Sequence, residues 1–373
     1  MNVEHAVLAP AAPVEGYTHL HAAHCESGVS RVLFREAGVT LSEPMIFGIG
    51  AGVFFVHVPW FKVMGHPLTS FRSMPGAIFG KAAKRLGMPT QVSTWFRREP
   101  AMRALDAAID AGHRVGLQVN IFWLPYIPKA MRVHFNGHNL VVLERRGDTY
   151  IVSDPIMEDL FECPVADLER ARFSGGSRFM PKGRMYRLAG DAPQAADEQR
   201  LAPELLDRAI AAGLEETCHR MLRIPGVVQI FGGQAIRHLG RRIARWPTEV
   251  GERQARQWLA GIVRMQEEVG TGGAGFRYLF AAFLQEVGRR PSFVQVGPLA
   301  ERVTAIGDEW RAFALQASRR ARGRESEDWA TLGARVEALA AAEQGLFTAL
   351  DAVRKPVAAR LSVGRAVTDG EAV

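Results

Sequence analysis

His24-Cys25-Glu26-Ser27-Gly28 stands directly ahead of a helical stripe formed by Val29, Val32, Leu33 and Ala37, and Gly38 is placed to stop that helix. A cysteine at the start of a helix feels the positive end of the helix dipole, which favours the thiolate, the reactive form of the side chain. Its candidate partners come much later in the chain. They are His138, which opens the apolar run His138-Asn139-Leu140-Val141-Val142-Leu143, and Asp154, which closes Tyr150-Ile151-Val152-Ser153-Asp154-Pro155. Cys, His and Asp in that order are what a thiol nucleophile, its general base and the acid that orients the base look like.

The runs at 138–144 and 149–154 read as strands joined by Arg145-Arg146-Gly147-Asp148. A hairpin closed about Arg146-Gly147 sets His138 opposite Asp154 or its neighbour Pro155. Directly opposed side chains share a face of the sheet, within reach of a hydrogen bond between imidazole and carboxylate. Upstream, 101–112 reads as an amphipathic helix ending at Gly112, and Arg114 to Phe122 as a buried strand. Leu124-Pro125-Tyr126-Ile127-Pro128 then breaks regular structure, while Phe47 through Phe55 reads as short strands and loops.

At 373 residues the chain is long enough for two domains, each with its own core. Residues 1–16 read as a loose arm, and the character of the sequence changes near residue 190, where 190–198 is linker-like. From 201 to 354 the pattern is almost wholly helical, broken at Pro225-Gly226, between Gly270 and Gly275, and at Pro291. The expected organisation is an α+β domain over 15–190, a mostly helical domain over 200–360 and a flexible tail over 361–373.

Composition limits the function classes. Hydrophobic residues make up 47% and charged residues 23%, ordinary proportions for a globular protein. Cys25, Cys163 and Cys218 are odd in number and form no CxxC pair, which favours a reducing compartment. Cys163 and Cys218 read as structural. No signal peptide and no apolar run long enough to span a bilayer is evident, so the expected location is the cytoplasm. The net charge of +7 reads as a solvated basic surface or as a match for an acidic partner. No recognition helix, zinc finger or RNP-type motif supports nucleic acid.

His19, His21 and His24 crowd around Cys25, but no second ligand cluster completes a metal site, and none is expected. Gly270-Thr271-Gly272-Gly273-Ala274-Gly275 matches GxGxxG formally, yet it follows a helical segment and reads as a helix–helix turn beside Arg277 and Tyr278, which could shape an acceptor pocket. Two basic clusters could dock an acidic partner: Arg319-Arg320-Ala321-Arg322-Gly323-Arg324, and Lys81, Lys84, Arg85, Arg97 and Arg98. The aromatic segments around Phe54 and Trp60, and from Phe122 to Tyr126, read as core; an acyl or pantetheine tunnel draws on the same residue types.

His24-Cys25-Glu26-Ser27-Gly28, then Leu41-Ser42-Glu43-Pro44-Met45-Ile46-Phe47-Gly48-Ile49-Gly50, then Leu124-Pro125-Tyr126, His138 and Ser153-Asp154-Pro155 resemble the N-terminal domain of the butirosin biosynthesis protein H family. The helical second half resembles the uncharacterised domain that often follows it. The resemblance implies a domain of the papain-like cysteine peptidase type with Cys25 as nucleophile, His138 as base and Asp154 as its orienting acid. It also implies acyl transfer: an acyl or aminoacyl group passes from the phosphopantetheine arm of an acyl-carrier protein, through a Cys25 thioester, to a small-molecule amine. No bound cofactor is needed, because the acyl group arrives activated. Papain-like peptidases place an oxyanion-stabilising Gln a few residues before the cysteine, and His19 stands there in this chain. Tyr126, Arg277 and Tyr278 are further candidates for contact with substrate. The rival readings are hydrolysis of an amide or thioester by the same triad, and a non-catalytic binding module.

Overall fold

Val29, Val32 and Leu33 are all buried along one stripe of helix α1 (Cys25–Glu36). The side chain of His24 caps its start by accepting from Ser27 N–H, Glu26 complements the dipole in the first turn, and Gly38 ends it in the left-handed conformation (φ 78°). The computed structural model describes residues 10–63, 65–175, 181–190, 201–223, 229–269 and 272–370. Residues 1–9 of the N-terminal arm, the linker from 191 and the Pro225-Gly226 break lie outside the described residues.

After α1 come α2 (Glu43–Ile49), β1 (Val53–Val63), β2 (His66–Arg72), α3 (Ala77–Arg85), β3 (Thr90–Ser93) and α4 (Arg98–Asp110). Then follow β4 (Val115–Val119), β5 (His138–Arg146), β6 (Thr149–Ser153), β7 (Leu160–Pro164), α5 (Val165–Arg172) and β8 (Met185–Leu188). The rest is helical: α6 (Pro203–Leu222), α7 (Gly232–Val250), α8 (Glu252–Val263), α9 (Arg277–Gly288), α10 (Leu299–Ala321) and α11 (Trp329–Gly370). The backbone is thus helical to Gly370, where the polar C-terminal sequence reads as a tail. Phe47 likewise lies within helix α2, and not in a strand or loop.

The chain forms two compact units, one from residues 1–46 and 75–201, the other from 47–74 and 202–373. The boundary read at residue 190 is therefore incomplete, because the β1–β2 hairpin belongs with the helices of the second unit. Its buried aromatic residues explain this: Phe55 stacks on Trp310 of α10 (6.2 Å) and Phe71 meets the same indole edge-on (5.3 Å).

The first unit is an α+β domain built on a six-stranded sheet of order β3-β8-β4-β5-β6-β7, antiparallel throughout. On one face Leu117, Val119, Leu140, Val142 and Val152 pack against Met102 and Leu105 of α4 and Leu168 and Ala171 of α5. Helix α1 packs against β5, β4 and β8, reaching Asn139 through Cys25. Both faces being covered explains why β5 is buried continuously from His138 to Leu143 and does not alternate.

The β5–β6 register differs from the sequence reading. The turn is Gly147-Asp148, flanked by the pair Arg146↔Thr149, and an irregularity between Val142 and Glu144 shifts the ladder once more to Val141↔Ser153, where it ends. Asp154 is thus past the last rung and not directly opposite His138. Continued by one residue, that register would set Asp154 against Leu140, which makes His138 its diagonal neighbour on the same face. The pair forms by a diagonal, not a direct, cross-strand contact.

Candidate active site

The site is assembled at the N-terminus of α1. His24 and Ala23 donate their backbone N–H groups to the two oxygens of Glu43, at 2.8 and 3.0 Å, and the Ser27 hydroxyl donates to the same carboxylate at 3.0 Å. Burial pushes the Glu43 carboxyl up from its ordinary value, against these three bonds. The carboxylate thus fixes the turn that delivers Cys25. On the next residue, Glu26 is fully buried and accepts from the N–H groups of Gly76 (3.0 Å) and Ile78 (2.7 Å) at the start of α3. Gly28 allows the last close approach. A Cβ there would lie 2.6 Å from that of Pro155 and 2.7 Å from that of Ala22, whose N–H donates to the Pro155 carbonyl at 2.7 Å. The first turn of α1 is therefore held directly against the residue after Asp154.

His138 Nε2 lies 2.6 Å from Asp154 Oδ2, and the imidazole is within hydrogen-bonding reach of the Cys25 thiol. With Nε2 given to the carboxylate, Nδ1 is the ring nitrogen left for sulfur. All three residues are buried. Burial opposes a charged imidazole, but the Asp154 carboxylate, its hydrogen bond and the neighbouring Cys25 outweigh it and push His138 up to about 10. At neutral pH His138 is then an imidazolium beside the sulfur.

Tyr126, expected among the substrate contacts, is fully buried. Its hydroxyl donates to Asp154 Oδ2 at 3.0 Å, and its ring stacks on Phe161 at 5.1 Å. Burial and then the nearby carboxylate raise its pKa well above the ordinary tyrosine value, so it stays a donor. The Ile156 N–H donates to Asp154 Oδ1 at 3.3 Å. Tyr126 holds the Asp154 carboxylate and has no surface for substrate.

His19 is also committed elsewhere. Its Nε2 lies 2.8 Å from the Met157 carbonyl, an acceptor only, so Nε2 carries the proton and Nδ1 accepts from Ser153 Oγ at 2.8 Å. The Tyr17 hydroxyl donates to Ser153 in turn (2.7 Å). With both ring nitrogens occupied, His19 has no donor for an oxyanion. The N–H of Cys25, at the first position of α1, has no intrahelical acceptor and is a donor that chemistry at this carbon could use.

Arg277 and Tyr278 lie in the second unit. Arg277 makes a buried two-pronged pair with Glu343 (2.9 Å at both Nε and Nη2), and Trp310 Nε1 donates to the same carboxylate at 2.7 Å. That is core architecture and leaves no face for an acceptor. The Tyr278 hydroxyl donates to Asp308 (2.7 Å). Gly275, in the formal GxGxxG, has φ 57° and leaves room for Phe71, whose ring a Cβ would meet at 2.5 Å; Gly270 and Thr271 lie outside the described residues.

The remaining candidates sort on geometry. Cys163 and Cys218 are buried, and burial pushes both thiols up, Cys218 to about 12. Neither is a nucleophile at neutral pH. Among the described residues no three His, Cys, Asp or Glu side chains converge as a metal site, and no helix is long and apolar enough to cross a membrane. Arg319 and Arg320 bond to the carbonyls of Glu325 and Glu327 in the loop that follows α10. Lys84, Arg97 and Arg98 are exposed on the unit that carries Cys25. Asn139, which touches the Cys25 sulfur, escaped the sequence reading; its place next to His138 was the available signal.

A helix that opens on a cysteine is set against an antiparallel sheet that carries the histidine and the acid, the arrangement that the resemblance implied. Residues 24–155 match the family described as butirosin biosynthesis protein H, N-terminal, and residues 166–350 match a domain of unknown function, DUF4872. The chain thus carries a region that matches the butirosin biosynthesis protein H N-terminal domain, followed by a DUF4872 region. No curated protein matches it. A solved structure of a putative C39-like peptidase from Bacillus anthracis aligns with 12% identity over 48% of this chain and 96% of that one, at a TM-score of 0.34.

Proposed function

We propose that this protein is an acyltransferase that moves an acyl or aminoacyl group from a carrier-protein thioester to an amine through an acyl-Cys25 intermediate. The observation that carries the reading is the buried chain from Cys25 through His138 to Asp154 and Tyr126. The Cys25 thiolate attacks the thioester carbon. The carrier's sulfur leaves and takes the proton from the His138 imidazolium. An amine then attacks the acyl-enzyme, neutral His138 accepts the amine's proton, and the electron pair of the breaking C–S bond returns to Cys25. One thioester is exchanged for another before the amide forms, so activation comes with the donor.

The match of residues 24–155 to a biosynthesis-protein domain supports transfer over hydrolysis. So does the near-complete burial of Cys25 and His138 (4% and 3% exposed), which suits an intermediate that must outlast contact with water. The exposed cations Lys84, Arg97 and Arg98 support an acidic carrier, and the cytoplasm suits both the carrier and the free thiols.

Intact-mass spectrometry after incubation with an acyl thioester tests the reading. The expected result is a single acyl adduct on the wild-type protein, none on Cys25→Ala, and discharge that added amines accelerate. No adduct at Cys25 sinks the proposal. An adduct that water clears as fast as any amine makes the protein a hydrolase.

A further inference from the structure

We propose that Asn139, aligned by Tyr186, is a second donor to the Cys25 thiolate and stabilises the sulfur whenever it is expelled from the acyl-enzyme. The inference rests on Cys25 being the nucleophile and concerns how negative charge on its sulfur is held as the acyl group leaves.

Asn139 follows His138 on β5, so its side chain leaves the opposite face of the strand, toward α1. It is fully buried. Its Nδ2 lies 3.0 Å from the Gly137 carbonyl and 3.8 Å from Cys25 Sγ, while its Oδ1 lies 2.8 Å from the Tyr186 hydroxyl. A backbone carbonyl only accepts, so the amide's NH2 end must face Gly137 and the sulfur. The Tyr186 hydroxyl must then be the donor to Oδ1, and the orientation follows from chemistry alone.

Tyr186 reaches this position because β4 makes room for it. Gly116 pairs with Tyr186 across the sheet, and a Cβ at Gly116 would come within 2.6 Å of the tyrosine ring. Phe79 packs on that ring at 4.9 Å, and Arg184 lies over it at 5.9 Å. A polar chain from Tyr186 through Asn139 to Cys25 thus crosses a buried region where apolar side chains would have been cheaper to desolvate. What it adds is an N–H aimed at sulfur.

That donor discriminates between states of the reaction. A thioester sulfur is a weak acceptor, whereas a thiolate makes a charge-assisted bond. As the amine nitrogen bonds to the acyl carbon, the C–S pair returns to Cys25, and the Asn139 bond strengthens as the charge develops. Interactions that grow toward the transition state are the ones that raise rate. His138 enters this half-reaction neutral and becomes an imidazolium only as it takes the amine's proton, whereas the Asn139 donor is in place throughout.

The test is the pH profile of Cys25 alkylation by iodoacetamide, followed by intact mass, which reads the sulfur without any acyl donor. Asn139→Ala is expected to slow alkylation about tenfold at neutral pH, the size of one hydrogen bond to a charged group, and to move the profile's midpoint upward. Tyr186→Phe is expected to shift it the same way by less. A folded Asn139→Ala protein with the wild-type profile overturns the proposal. Should that variant be too unstable to measure, an unchanged profile in Tyr186→Phe does so instead. Failure of Cys25 to accept an acyl group would count against the nucleophile and would leave the alkylation result standing.

Discussion

Asp154 Oδ2 receives two hydrogen bonds, from His138 and from Tyr126, and the second fixes the carboxylate in the plane that the first needs. Removing the tyrosine hydroxyl leaves the ring's packing on Phe161 and takes away only the donor. Tyr126→Phe should therefore fold, with a loss of about 1 kcal/mol of stability for one buried bond, and should lower the acyl-transfer rate about tenfold. Steady-state kinetics beside a thermal melt would check both; an unchanged rate would mean that the carboxylate is held without Tyr126. Glu43 makes a different case. It accepts from three donors and offers none, so Glu43→Gln turns an NH2 group toward at least one of those donors. The expected cost is about 1–3 kcal/mol in denaturant unfolding, with slower acylation of Cys25, because the turn ahead of α1 loses its anchor.

At the level of elements, α1 and the end of β6 are locked together by the absence of a side chain at Gly28. Gly28→Ala places a methyl carbon 2.6 Å from Pro155, and neither a helix backbone nor a proline ring gives way easily. A loss of about 1–3 kcal/mol is expected, with weaker acylation of Cys25 as α1 is pushed from the Asp154 turn; equal melting temperatures for the variant and the wild type would refute this. The same elements show what could be read from the chain and what could not. The stripe of α1, its stop at Gly38, the strands β4 to β6 and the candidate trio were legible, because periodicity and glycine placement are local signals. The register of the β5–β6 hairpin was not, since its two-residue turn and the irregularity beyond Val142 depend on packing from both sides of the sheet. Local sequence was equally silent on His19, whose bonds to Ser153 and Met157 depend on strands far along the chain. Tyr126 and Asn139 belong to the same class, as residues whose partners, Asp154 and Cys25, lie far along the chain.

For the molecule as a whole, the two units divide the chemistry from its context, and the division was only half visible. The change of composition near residue 190 marked a boundary, but a hairpin whose aromatic residues pack on α10 gives no local sign of belonging elsewhere. The ionic pair in the first unit nevertheless imposes a global signature. His138 is held at about 10 in the folded protein, above the value near 6.5 of an unfolded histidine. A group whose folded value is raised binds its proton more tightly when folded, so its contribution to stability is fully present below pH ~6.5 and is lost as pH rises toward about 10. Denaturant unfolding of the wild-type protein should then show stability declining across that window. Asp154→Asn removes the larger of the two groups that hold the proton, leaving only the neighbouring Cys25 to oppose burial, so this decline should flatten, with the largest loss of stability at the acid end of the window. A variant that keeps the wild-type slope would show that the proton on His138 is held by some group other than Asp154.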